Sequence, residues 1–110
     1  MDTPWGKAQS FTNVADGIVA VSTASHGGYH VFDGALAVIK KRFPGYVPFA
    51  GEGWYEEDCD WAIVELCFPE HFPPEAQNHA RKTLEYMAKR GGISGSNWQI
   101  IADNIKEVAA

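Results

Sequence analysis

His26 is the first residue of this chain that could take part in catalysis, because it lies in the stretch STASHGG, residues 22–28. A histidine beside a serine can act as a general base, with Ser22 or Ser25 as the nucleophile. Neighbouring residues of a strand point to opposite faces, so Ser25 and His26 face each other only if the chain bends. No Gly-x-Ser-x-Gly stretch is present to expose a serine. We therefore interpret His26 as a turn residue and keep a catalytic base as the weaker hypothesis.

Metal binding is a second kind of chemistry that these residue types allow. Nitrogen and oxygen ligands are offered by His26, His30, Glu52 and the acidic residues of 56–60. The two histidines are four residues apart, but on a predicted turn and not on the helix of a metalloprotease motif. The sequence therefore predicts no metal site and no cofactor. A small hydrolase or metal-dependent enzyme centred on His26 stays open as an alternative.

The two cysteines are weaker candidates. Cys59 stands near a predicted helix start, which favours a reactive thiolate, but carboxylates on both sides of it oppose one. Cys67 is predicted to be a small core residue. Their spacing matches no common zinc motif and no disulfide framework, so we expect reduced thiols in a cytoplasmic protein.

The densest feature is the acidic and aromatic stretch GEGWYEEDCD, residues 51–60. An aromatic anchor surrounded by charge is typical of protein-binding surfaces. We predict that this stretch contacts a partner protein through Glu52, Trp54, Tyr55, Glu56, Glu57, Asp58 and Asp60. The alternative is structural: acids in a first helical turn stabilise the helix, and Trp54 packs in the core.

Composition limits the classes of function. The 110 residues carry a net charge of −5 and are 45% hydrophobic, which suits one folded domain covering residues 1–110. Residues 43–80 hold eight of the 14 acidic residues and none of the nine basic ones. The basic residues form only small clusters, mainly 40–42, and no long basic stripe, so we expect no direct nucleic-acid binding. We also expect no signal peptide and no membrane-spanning segment.

The patterning predicts three strands followed by four helices. The strands are 8–14, 17–24 and 29–32, and residues 22–28 form a hairpin turn with Gly27 or Gly28 at positive φ. The predicted helices cover 34–43, 59–68, 74–90 and 96 to the C-terminus, with Asp33 and Asp58 as the caps of the first two. Residues 46–55 are predicted as a loop. The fold class is therefore α+β, with an N-terminal three-stranded antiparallel sheet packed against about four helices.

Several short blocks resemble an uncharacterised domain family of bacterial phage, plasmid and other mobile-element proteins. The resemblance covers roughly residues 3–80 and rests on TPWG (3–6), DGIV (16–19), STASHGG (22–28), GWYEEDC (53–59) and WA (61–62). It implies a bacterial host cytoplasm, and it implies no activity and no catalytic residues.

Acidic proteins of such elements are often inhibitors of host defence, such as anti-CRISPR or anti-restriction proteins. The sequence therefore favours a non-enzymatic accessory protein that docks its acidic, aromatic middle onto a basic, nucleic-acid-binding surface of a host or phage protein complex. A structural or regulatory module is a further alternative.

Overall fold

The computed structural model describes residues 2–48, 50–57, 60–90, 100–101 and 103–104, which form an antiparallel sheet with helices packed against it. The strands are β1 (Asp2–Thr3), β2 (Gly6–Lys7), β3 (Ser10–Ala15), β4 (Ile18–Ser22), β5 (Gly27–Val31) and β6 (Trp54–Glu56). The helices are α1 (Asp33–Arg42), α2 (Trp61–Cys67) and α3 (Pro74–Arg90), with a short 3-10 turn, Pro69–His71, before α3. The α+β class predicted from the sequence is confirmed.

The main sheet has the strand order β3-β4-β5-β6, and every neighbouring pair is antiparallel. Strand β4 is rich in β-branched residues, and it lies in the middle of the sheet with Ile18 and Val21 buried. Its turn into β5 pairs Ser22 with Gly27, so the predicted hairpin is confirmed. Strands β1 and β2 form a separate two-stranded ribbon at the N-terminus.

The predicted counts of strands and helices are wrong in detail. Strand β6 lies within the stretch predicted as a loop, and the ribbon of β1 and β2 was not predicted at all. Helix α3 has the predicted extent, and α2 is shorter than predicted. The predicted fourth helix falls mostly outside the described residues; residues 100–101 and 103–104 are helical, and Ile101 is buried.

Gly27 and Gly28 are required for a different structural reason from the predicted one. Positive φ occurs at Gly17 and at other glycines, but not at Gly27 or Gly28, which lie within β5. A Cβ on Gly28 would collide with the carbonyl oxygen of Tyr55, and one on Gly27 would lie 2.8 Å from the carbonyl oxygen of Val21. Both positions therefore need glycine because neighbouring backbone comes close, and not because of a left-handed conformation.

The predicted cap of α1 is also wrong. Asp33 is itself the first helical residue, with φ of 54°, and no side chain caps this helix. Aspartate tolerates the left-handed region better than most residues, because its short polar side chain can bond locally. The basic residues 40–42 fill the last turn as predicted, where cations suit the helix dipole.

Helix α2 is the centre of the core. It packs against the sheet, α1 and α3, and five of its seven residues are buried: Ala62, Ile63, Val64, Leu66 and Cys67. Helix α3 contributes Ala80 and Leu84 from its predicted apolar face. In the part of the chain that the structure describes, no helix combines the length and apolar character needed to cross a bilayer.

Candidate functional site

The pairing of β5 with β6 brings the STASHGG stretch against the acidic stretch that lies far away in the sequence. Gly28 is paired with Glu56, Tyr29 with Tyr55 and His30 with Trp54. One further backbone bond, from the Glu57 N–H to the Gly27 carbonyl at 2.8 Å, extends this pairing past the end of β6. The two stretches that the sequence singled out therefore form one local structure.

Thr23 holds the turn that carries His26. Its backbone N–H and its Oγ1 both donate to the His26 carbonyl, at 2.7 and 2.8 Å. The His26 N–H in turn donates to Thr23 Oγ1 at 3.1 Å. The backbone of His26 is therefore fixed on both sides, as its interpretation as a turn residue requires.

The two serines proposed as nucleophiles bond elsewhere. The Ser22 hydroxyl lies 2.6 Å from that of Ser10, and the Ser25 hydroxyl donates to the carbonyl of Trp5 at 3.5 Å. The side chain of His26 lies instead beside Glu56, with 3.7 Å between Nδ1 and Oε1. This geometry gives no support to a serine activated by His26.

His26, Glu56 and Glu57 form a compact group of possible metal ligands. One ligand atom from each side chain lies within 4.8 Å of the other two. Glu56 is buried, whereas His26 and Glu57 are exposed. All three were among the possible ligands considered from the sequence. His30 was also among them, but its Nδ1 lies 3.1 Å from the Gly53 carbonyl oxygen.

A groove of about 710 Å³ runs between the sheet, α2 and α3. Its apolar lining includes Val21, Trp61 and Ala76, and its polar lining includes three carboxylates, one phenol and one imidazole. These are Glu57, Glu65, Glu75, Tyr29 and His79. Glu57 belongs both to this lining and to the group of possible metal ligands. One end of the groove therefore lies at the group formed by His26, Glu56 and Glu57.

Most of this groove was missed from the sequence. Trp61 and Glu65 are one turn apart on α2, and Ala76 and His79 are one turn apart on α3, so each pair shares a helix face. The usable signal was Glu65, the one charged residue of the otherwise apolar helix α2. Its carboxylate accepts a hydrogen bond from the Tyr29 hydroxyl at 2.8 Å, across the groove.

Three of the predicted partner-binding residues are buried and two are exposed. Tyr55 and Asp60 are each 2% exposed, and Glu56 is 8% exposed. Glu52 and Glu57 are exposed, and Glu52 pairs with Lys40 at 2.6 Å. Asp58 and Cys59 lie outside the described residues.

Trp54 is half-buried. It is therefore neither a fully buried core residue nor a fully exposed anchor for a partner, the two alternatives that the sequence left open. Its ring stacks on His30 with 4.0 Å between ring centroids, and it meets the edge of Trp5 at 5.7 Å. The stacking ties β6 to β5 and the N-terminal ribbon to the sheet. Part of the ring area that a partner could contact is therefore already used within the chain.

Burial sets the protonation of three groups near this site. Desolvation raises the pKa of the Cys67 thiol to about 12. Desolvation also raises the pKa of Tyr55, with smaller contributions from Cys67, Asp60 and Glu52. The pKa of Tyr29 is raised by desolvation first, and then by its hydrogen bond to Glu65. All three groups are protonated at neutral pH, so Cys67 is a core residue and not a nucleophile.

Asp60 is expected to contribute to folding more than to partner contact. The Tyr46 hydroxyl donates a hydrogen bond to its carboxylate, and both side chains are buried. Asp60→Ala removes this acceptor, and we expect the free energy of unfolding to fall by about 1–3 kcal/mol. Urea unfolding of Asp60→Ala beside Glu57→Ala, an exposed control, measures the difference. Equal stability of the two variants would contradict the structural role.

Comparison with known proteins assigns the chain to a family. The domain of unknown function DUF7007 matches residues 1–92, so the chain belongs to that family. No curated protein matches the chain, and no solved structure matches it either.

Proposed function

We propose that the protein acts by binding another protein, and that the groove receives a cationic, amphipathic segment of that partner. The observation that carries this proposal is the combination of an apolar lining with three carboxylates, Glu57, Glu65 and Glu75. Among the described residues that line the groove, none is lysine or arginine. A segment with an apolar face and basic flanks complements both properties.

The two parts of the groove contribute differently to binding. Trp61 and Ala76 are half-buried and offer apolar area, and removing such area from water provides most of the binding free energy. Glu57 and Glu75 are exposed, so they act mainly on the association rate and on the choice of a basic partner. Glu65 is half-buried and held by Tyr29, which fixes one carboxylate without waiting for the partner.

The biological setting that we propose is a mobile genetic element. The protein would be a phage or plasmid accessory protein that inhibits a host defence complex, such as a CRISPR or restriction complex. Such complexes hold nucleic acid on basic surfaces, and an acidic protein competes for them through long-range attraction. The support is the resemblance of the sequence blocks and the acidic stretch 43–80. In this setting the groove, more than the stretch 51–60 as a whole, makes the contact.

A designed peptide tests the groove directly. We expect a synthetic amphipathic helix of leucine and lysine to bind, with NMR shift changes concentrated at groove residues. Glu57→Lys with Glu75→Lys should weaken binding about tenfold at low salt, which corresponds to about 1.4 kcal/mol. The difference should shrink at about 0.15 M salt, where exposed charges are screened beyond about 8 Å.

The matched control is Glu70→Lys with Glu85→Lys. Both residues are exposed, neither lines the groove, and the double change alters net charge equally. Binding of this control should stay within about twofold of the original, because the local groove charge is unchanged. Equal weakening of both double variants would mean that net charge alone attracts the peptide, and the groove proposal would fail.

A further inference from the structure

The group formed by His26, Glu56 and Glu57 has the composition and spacing of a metal site. Its three ligand atoms lie within 4.8 Å of one another, and His26 Nδ1 is 3.7 Å from Glu56 Oε1. Two ligands of one tetrahedral zinc ion, each about 2.0–2.2 Å from the metal, are about 3.4 Å apart. Small side-chain rotations therefore suffice to bring all three atoms onto one ion.

The backbone explains how two consecutive glutamates both face His26. Consecutive residues within a strand point to opposite faces, but β6 ends at Glu56 and Glu57 is already in a turn. The Glu57 N–H remains bonded to the Gly27 carbonyl at 2.8 Å, which holds the turn against the residue next to His26. Thr23 fixes His26 from the other side. The three ligands are therefore placed by the fold and not by free side chains.

Gly27 leaves the space that this arrangement needs. A Cβ at this position would lie 3.2 Å from Oε2 of Glu57, closer than an ordinary contact. The carboxylate therefore lies over bare backbone. The glycine next to the histidine in STASHGG thus has a role at the candidate site as well as in the sheet.

The charges of the group favour a cation. With His26 neutral, the group presents one ring nitrogen and two anionic carboxylates, all able to act as ligands. Imidazole suits first-row transition metals, whereas Mg²⁺ and Ca²⁺ prefer oxygen ligands only.

We propose that His26, Glu56 and Glu57 bind a divalent transition-metal ion of the Zn²⁺ type. Three protein ligands leave at least one coordination position for water or for another molecule. Since Glu57 also lines the groove, that position would open at the end of the groove. The inference does not depend on the cationic partner, because His26 does not line the groove.

Calorimetric titration of the full chain, first treated with a chelator, tests the site without any peptide. We expect one Zn²⁺ per chain to bind, and Mg²⁺ to bind much more weakly. His26→Asn and Glu57→Gln should each weaken metal binding by at least about tenfold. Loss of a residue that only supports a metal ligand already costs about tenfold or more, and loss of a ligand itself should cost at least as much. Both replaced side chains are exposed, so both variants should fold.

His71→Asn is the matched control. His71 and Glu70 form an exposed histidine–carboxylate pair with the same 3.7 Å separation, and they are not part of a three-ligand group in the described chain. This variant should bind the metal as the original chain does. A thermal shift with Zn²⁺ that the chelator reverses should be lost in His26→Asn and kept in His71→Asn. No stoichiometric binding, equal loss in both histidine variants, or Mg²⁺ binding as tightly as Zn²⁺ would overturn the proposal.

Discussion

Gly28→Ala is expected to lower the free energy of unfolding by about 3 kcal/mol or more, the upper end of the usual cost of overpacking. The new methyl group would collide with the Tyr55 carbonyl oxygen and lie 2.9 Å from the ring of Trp5 and 3.0 Å from the Cα of Glu56. Two of these three neighbours are backbone atoms of β6 and cannot move without separating the strands. Chemical unfolding followed by circular dichroism measures the loss.

Gly34→Ala provides the control for this prediction. Gly34 lies in α1, and a Cβ there would have no heavy atom within 4 Å. Alanine is also the better helix former, so this variant should be unchanged or up to about 1 kcal/mol more stable. A Gly28→Ala protein as stable as the Gly34→Ala protein would show that β5 and β6 do not approach as closely as described.

Alkaline solution is expected to destabilise the protein through groups that are buried in their neutral form. Cys67 and Tyr55 have raised pKa values in the folded chain, so the folded state keeps protons that the unfolded chain loses. Their stabilisation is complete below the unfolded pKa values, near 9 for the thiol and 10 for the phenol, and is lost as pH rises above them.

Each such proton changes the unfolding free energy by about 1.4 kcal/mol per pH unit. For these two groups the loss between pH 8 and pH 11 is about 4 kcal/mol, a large part of a typical total of about 5–15 kcal/mol. Urea unfolding at a series of pH values measures this loss of stability. The Cys59→Ser variant is used throughout, so that Cys67 is the one thiol that titrates. Tyr55→Phe should make the fall less steep, whereas Tyr86→Phe, at an exposed position, should not. A steepness that is the same in both variants would contradict the role of Tyr55.

Local patterns were sufficient to predict the elements with strong intrinsic preferences. The β-branched run of β4 and the glycine-containing turn after it predicted the hairpin. The two prolines at the start of α3 and the apolar spacing of Ala80 and Leu84 predicted that helix and its buried side.

Features that depend on distant neighbours could not be predicted in this way. Strand β6 has three residues and lies next to Gly51 and Gly53, so its own sequence reads as a loop; its pairing with β5 makes it a strand. The burial of Asp60 depends on Tyr46, which is far from it in sequence, whereas a run of acids normally indicates a solvated surface. The groove needs three elements at once, so no single stretch indicates it.

The position of β6 in the sheet also determines the order in which the chain can fold. Strands β3, β4 and β5 follow one another through short turns, so their contacts are local and close at little entropic cost. Strand β6 reaches β5 only after residues 32–53, including all of α1, and this raises the contact order of the sheet. We therefore expect the three-strand meander to be formed in the folding transition state, with β6 joining after the barrier is crossed. In kinetic terms, substitutions in β6 should mainly speed unfolding, and substitutions in β4 should mainly slow folding.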